Sequence, residues 1–96
     1  MTLEMLQSEK RSAILSLAGL HGARNVRVFG SVARRESGPA SDIDFLVDLE
    51  PKRNIFDLGA LLEDLRDLMQ TPVDVVDARC LHPYIRERVL AEARTL

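Results

Sequence analysis

Asp42 and Asp44 stand two apart in Ser41-Asp42-Ile43-Asp44-Phe45-Leu46-Val47, and the same alternation runs on through Asp48 and Leu49. On a strand, residues two apart leave the same face with Cα atoms roughly 6.5–7 Å apart, at a rise of ~3.3 Å per residue. Ile43, Phe45, Val47 and Leu49 then share one face, and Asp42, Asp44, Leu46 and Asp48 the other. One divalent cation fits between the first two carboxylates. Magnesium takes oxygen ligands at about 2.0–2.1 Å in octahedral geometry and uses only one or two carboxylates, which leaves positions for water and phosphate. The competing reading is that these aspartates are merely the polar face of a half-exposed strand. Aspartate is depleted in strands, however, and neighbouring carboxylates repel, so the pair costs stability unless a cation or hydrogen-bond donors compensate it. Asp48 lies about 13 Å beyond Asp44 on an extended strand and falls outside the site.

A second ion about 3.5–4 Å from the first would need another carboxylate, and two such ions together would activate an attacking oxygen and neutralise a leaving pyrophosphate. Asp74, in Pro72-Val73-Asp74-Val75-Val76-Asp77, is the candidate, provided its strand pairs beside the one starting at Ile43. Asp77 is its rival, three residues on and facing the other way. Gly30-Ser31 follows the run Asn25–Phe29, and a strand ending in glycine lets the backbone approach a ligand while the next helical turn offers free N–H groups to a phosphate. Gly-Ser is also an ordinary turn with Ser31 as helix cap. Arg34 and Arg35 follow in the same short helix, where a planar guanidinium suits phosphate oxygens and solvent equally well.

The elements that must position these residues follow from periodicity. A first helix is expected from Thr2 to about Ala18, with Leu3, Leu6, Ile14, Leu15 and Ala18 inward and Gly19 and Gly22 ending it. Asn25–Phe29 is the first strand, Ser31–Glu36 a short helix, Ser37–Ser41 a loop, and Ile43–Leu49 the second strand. Leu58, Leu61, Leu62, Leu65, Leu68 and Met69 form one helical stripe. Val73–Asp77 is a third strand, and Tyr84 to about Arg94 a last helix with Ile85, Val89 and Leu90 on its apolar side. Strands separated by helices indicate an α+β or α/β fold: a mixed or parallel sheet of three or more strands packed against helices.

Composition narrows the setting. The 96 residues, 46% of them hydrophobic, suit one domain over 1–96. At this size roughly 60–65% of the chain's surface is buried on folding, so a partner chain would help stability. Thirteen Lys and Arg against fifteen Asp and Glu give a net charge of -2, which disfavours nucleic acid as a partner. No apolar run approaches the ~20 residues of a membrane span. With Cys80 the single cysteine and no leader-like start, the cytoplasm is the expected compartment. His21 and His82 are expected at the surface, without neighbours at zinc-ligand spacing. Cys80 lacks a companion or a base, and Tyr84 reads as a packing residue, with self-modification the alternative.

Taken together, Val28-Phe29-Gly30-Ser31-Val32-Ala33-Arg34 followed by Ser41-Asp42-Ile43-Asp44-Phe45-Leu46-Val47 resembles the nucleotidyltransferase superfamily that includes DNA polymerase beta. Its signature is Gly-Ser, a short helix, Asp-x-Asp on the next strand and a third carboxylate on a later one, a place that Asp74 matches. The length narrows the resemblance to minimal nucleotidyltransferases, the MNT-type antitoxins encoded beside HEPN-domain toxins, over roughly Val26 to Asp77. The resemblance implies a mixed-sheet nucleotidyltransferase fold, ATP and magnesium (two Mg2+ ions) as ligands, and transfer of AMP to a tyrosine of a HEPN toxin, with which the chain would form a hetero-oligomer. It assigns Gly30 and Ser31 to the nucleotide phosphates, Asp42 and Asp44 to the metal, and Asp74 to activation of the attacking hydroxyl. Arg34 falls where the family often has Arg. Arg35 departs from the pattern, since relatives commonly carry Gly there, and this puts the shape of the loop from Arg35 to Ala40 in question.

Two other functions compete with a protein-modifying enzyme. One is a non-catalytic antitoxin that neutralises the toxin by binding. The other is nucleotidyl transfer to RNA or a small molecule, which the acidic balance, the few aromatics and the lack of a second domain disfavour.

Overall fold

The structure, a computed structural model, describes residues 1–38 and 41–96; Pro39 and Ala40 of the expected 37–41 loop lie outside the described residues. In chain order the elements are α1 (Leu3–Gln7), α2 (Arg11–Leu20), β1 (Ala23–Phe29), α3 (Gly30–Ala33), β2 (Ile43–Leu49), α4 (Ile55–Met69), β3 (Val73–Asp77), a 3-10 turn (Ala78–Cys80), α5 (Pro83–Glu92) and β4 (Arg94–Thr95). The sheet runs β3-β2-β1-β4. β1 pairs antiparallel with both β2 and β4, and β2 pairs parallel with β3. The expected mixed sheet is therefore present, with one strand more than the periodicity showed.

β2 divides the molecule as its alternation requires. Ile43, Phe45, Val47 and Leu49 join Val26, Val28, Val73 and Val75 in the main core, beneath Leu3 and Leu6 of α1, Ile14 and Ala18 of α2, and Leu61, Leu65 and Met69 of α4. On the opposite face a smaller cluster of Leu46, Ala78, Leu81 and Val89, flanked by Phe29 and Val76, seats α5. The other polar positions of that face, Asp42, Asp44 and Asp74, lie at the end of the sheet where β2 and β3 begin.

α4 starts three residues before the apolar stripe because Asn54 and Asp57 form a reciprocal cap. Asn54 Oδ1 accepts the Phe56 N–H at 2.9 Å, and Asp57 Oδ2 accepts the Asn54 N–H at 2.9 Å. The expected single N-terminal helix is two. At Ser8 the backbone leaves the helical region, its hydroxyl donates to the Glu4 carbonyl at 2.7 Å, and Lys10 N–H returns to the Met5 carbonyl. Serine competes with the helix ladder in this way, and the break lets α1 and α2 pack on the sheet separately. The last helix also differs: of its expected apolar side only Val89 is buried, and Ile85 and Leu90 are exposed.

Two non-glycine residues hold left-handed turns that bear on the site. Asn25, at φ 52°, sits in the bulge where the β1–β2 register shifts between Arg24 and Arg27. Its amide and the Arg27 guanidinium bind the Asp48 carboxylate at 3.0 and 2.9 Å, which commits Asp48 to the sheet. Arg35, at φ 60°, takes up the glycine-like conformation itself, with Glu4 accepting from its Nε at 2.8 Å. The turn after α3 keeps the shape a glycine would give it, at a cost on the order of 1 kcal/mol.

Leu65 is 1% exposed in the main core, so Leu65→Ala lowers the unfolding free energy by about 2–5 kcal/mol in urea denaturation. Phe56→Ala, on the same helix but at an 83% exposed position, changes it by no more than about 0.5 kcal/mol.

Candidate active site

The parallel register sets Asp44 directly beside Asp74, following Ile43 beside Val73, so the two carboxylates leave the same face of adjacent strands about 4.8 Å apart at the backbone. Asp42 precedes β2 by one residue, and the Ile43 N–H is tied to the Pro72 carbonyl at 3.1 Å, which anchors both strand starts. Asp42 and Asp74 are exposed and Asp44 is half-buried. Burial raises the pKa of Asp44 above its ordinary value, and the neighbouring charges of Asp74 and then Asp42 raise it further, against the opposing pull of Arg34. Such mutual repulsion, with hard oxygen donors on one open strip, suits a divalent cation. As the side chains stand, no three carboxylate, His or Cys groups among the described residues converge on one point. A cation would have to draw the carboxylates inward.

Gly30 follows the last residue of β1, Phe29, which pairs with Asp44 across the sheet. Its φ of 74° is a left-handed conformation, and a Cβ there would run into the Asp44 carboxylate. The turn thus requires glycine twice over, for backbone freedom and for close approach. The expected cap by Ser31 is not found. Phe29 is the N-cap residue of α3, and Ser31 is the second residue of the helix, its carbonyl accepting the Glu36 N–H at 2.8 Å. A helix this short turns straight from strand to helix at Gly30, leaving no room for a capping side chain.

A fourth carboxylate reaches the site from the last helix. Glu92, at the end of α5, accepts the Gly30 N–H at 3.2 Å and the Arg34 Nη1 at 3.1 and 3.3 Å, and its charge also adds to the raised pKa of Asp44. Arg34 reaches Glu36 as well, at 3.1 Å. The sequence carried one signal for Glu92: it lies three residues after Val89, on the buried side of the last helix, where a carboxylate needs a partner. Asp77, the rival to Asp74, is 4% exposed on the core side. Burial works against its charge, but the Arg79 guanidinium and backbone N–H outweigh it and hold Asp77 below the usual carboxylate range.

The other singled-out residues are peripheral. His21 is half-buried rather than superficial, with Nε2 against the Asp64 carboxylate of α4. Tyr84 is 92% exposed instead of packed, and its ring stacks on His82, whose Nδ1 caps α5. Cys80 is free and exposed. No helix among the described residues is long and apolar enough to cross a membrane.

A mixed sheet with a Gly-Ser turn facing paired aspartates on the next strand and a third on its parallel neighbour is the arrangement of a nucleotidyltransferase domain. Residues 17–96 match the family model described as polymerase beta, nucleotidyltransferase, and the chain belongs to that family. It is 35% identical over 92 residues to the protein adenylyltransferase MntA of Thermococcus cleftensis, covering 96% of this chain and 93% of that one. It superposes on a solved minimal nucleotidyltransferase with a TM-score of 0.87 at 48% identity, covering 100% of this chain and 97% of the other. The fold is also that of a toxin-antitoxin structure solved with AMP-PNP, at a TM-score of 0.75 and 21% identity over 88% of this chain and 69% of that one.

Two outcomes follow from the geometry. Gly30→Ala forces a Cβ onto the Asp44 carboxylate, and its melting temperature falls by at least several degrees, as a cost above about 1 kcal/mol implies for a domain of this size. The second concerns pH. Because the folded pKa of Asp44 is raised, the native state binds the extra proton, and stability falls as pH climbs from the ordinary carboxylate range through that raised pKa. With metal chelated, Asp44→Asn therefore unfolds at higher urea than the parent at neutral pH, and the gap closes below the ordinary carboxylate range. Equal midpoints throughout would show that Asp44 carries no such cost.

Proposed function

We propose that residues 1–96 act as a magnesium-dependent nucleotidyltransferase of the cytoplasm that transfers AMP from ATP to a tyrosine of a HEPN-type toxin, and so serves as its antitoxin. The observation that carries this reading is the placing of Asp44 beside Asp74, with Asp42 adjacent, across from the Gly30 turn. Membership of the nucleotidyltransferase family supports the reaction type. The similarity to a protein adenylyltransferase supports a protein acceptor. A shared fold with a toxin-antitoxin protein solved with AMP-PNP agrees with ATP as donor and a toxin as partner.

In this reading Asp42 and Asp44 hold the metal, with Asp74 contributing to a second ion. When bound, magnesium neutralises charge on the triphosphate and on the departing pyrophosphate. Gly30 and Ser31 receive the phosphates through their backbone, Ser31 can add its hydroxyl, and Arg34 supplies a positive charge. The acceptor hydroxyl attacks the α-phosphorus in line, the new oxygen–phosphorus bond forms as the bond to the bridging oxygen of pyrophosphate breaks, and the hydroxyl proton passes toward Asp74. Positioning and charge neutralisation carry such a displacement without a protein nucleophile.

The test is incubation with α-labelled ATP, magnesium and the product of the adjacent gene. The parent labels the partner, and Asp42→Ala with Asp44→Ala lowers labelling by at least about 100-fold, the scale lost when preorganised charge stabilisation is removed. Absence of label in both, with a stable complex and full neutralisation in both, would instead establish an antitoxin that works by binding.

A further inference from the structure

The donors assigned to the phosphates already hold an anion. The Glu92 carboxylate occupies the Gly30 N–H and spans Arg34 Nη1 with both oxygens, and its side chain is only 18% exposed. One N–H serves one acceptor well, so a phosphate oxygen and the Glu92 carboxylate cannot both use the Gly30 amide at full strength. The charges point the same way. Asp44 feels the charges of Asp74, Asp42 and Glu92 against a single opposing guanidinium, Arg34, which Glu36 also engages. The backbone that carries Glu92 is well anchored: β4 pairs with β1 at Arg27 and Val28, just before Gly30, the Leu96 N–H is bound by the Val26 carbonyl at 3.1 Å, and Arg11 Nε donates to the Leu96 carbonyl at 2.7 Å. Rotation of the Glu92 side chain is therefore the simplest way to clear the donors.

The geometry points to Glu92 as a built-in competitor of the nucleotide: its carboxylate fills the Gly30–Arg34 position in the free protein and must swing away for a nucleoside triphosphate to bind. This rests on the nucleotide-site reading given above. The metal-bound triphosphate brings more negative charge and more acceptors than one carboxylate, so it displaces Glu92 at a cost in affinity. Removing that charge should therefore strengthen binding, whereas damage to the fold could only weaken it.

Calorimetric titration of AMP-PNP with magnesium into the parent, Glu92→Gln, Glu92→Asp and Asp42→Ala plus Asp44→Ala separates the possibilities. Glu92→Gln is expected to bind about tenfold tighter than the parent, the scale of one charge-assisted hydrogen bond. Glu92→Asp, whose shorter side chain falls short of the Gly30 amide, should gain in the same direction, and it carries the test if Glu92→Gln does not fold. Equal or weaker binding by the folded variants, with the parent binding and the double aspartate variant not, would overturn the competitor role while leaving the nucleotide site intact. No binding by the parent or by either Glu92 variant would remove the nucleotide-site reading, and this inference with it.

Discussion

Two carboxylates held side by side by a parallel strand pair are the constraint around which this molecule is arranged. Asp44 and Asp74 are register partners, so every backbone hydrogen bond that zips β2 to β3 also presses like charges together. What offsets the repulsion lies on the other face of the same strands. Ile43, Phe45, Val73 and Val75 are buried in the main core, and a register slip of one residue would exchange them for the aspartates. The hydrophobic face fixes the register, and the register creates the charge cluster.

The turn at Gly30 is the second consequence. β1 reaches the site from the other side of β2 and must reverse into α3 against the Asp44 carboxylate, which only a residue without Cβ and with a left-handed φ can do. That backbone approach sets the Gly30 turn against the acidic strip. Arg35 completes the turn by adopting the conformation for which glycine is the easier choice, and the Glu4 carboxylate of α1 binds its guanidinium. The turn from Gly30 to Arg35 is thus held from both ends, by a glycine whose surroundings admit nothing else and by an arginine that bears modest strain.

The C-terminal segment joins the two ends of the chain to the site. β4 adds only two residues to the sheet, yet Gln7 donates to the Thr95 carbonyl at 2.9 Å and Arg11 to that of Leu96. The break at Ser8 separates the helices bearing those two side chains, and the two reach the last two residues, Thr95 of β4 and Leu96 beyond it. α5, seated on a small apolar patch centred on Leu46 and Val89, thereby delivers Glu92 to the amide of Gly30. An acidic side chain there balances Arg34 in the free protein and adds a further negative charge beside Asp44.

By itself the sequence determined the three strands Ala23–Phe29, Ile43–Leu49 and Val73–Asp77 to within two residues, the long helix α4, and the residues of the acidic strip. These are legible because period-2 alternation and a strong helical stripe are local signals, and because aspartates on a strand are costly enough to stand out. Asp74 is the candidate over Asp77 only on the condition that its strand pairs beside β2; the parallel register meets that condition, and the structure shows Asp77 to be a core-side carboxylate that caps the 3-10 turn and pairs with Arg79. The tertiary structure alone decided β4, the split of the first helix and the place of Glu92. A two-residue edge strand has no periodicity, a serine breaks a helix only when packing rewards the break, and Glu92 meets Gly30 across 62 residues of chain. Contacts of that separation are set by how the helices seat on the sheet, a property no local pattern encodes.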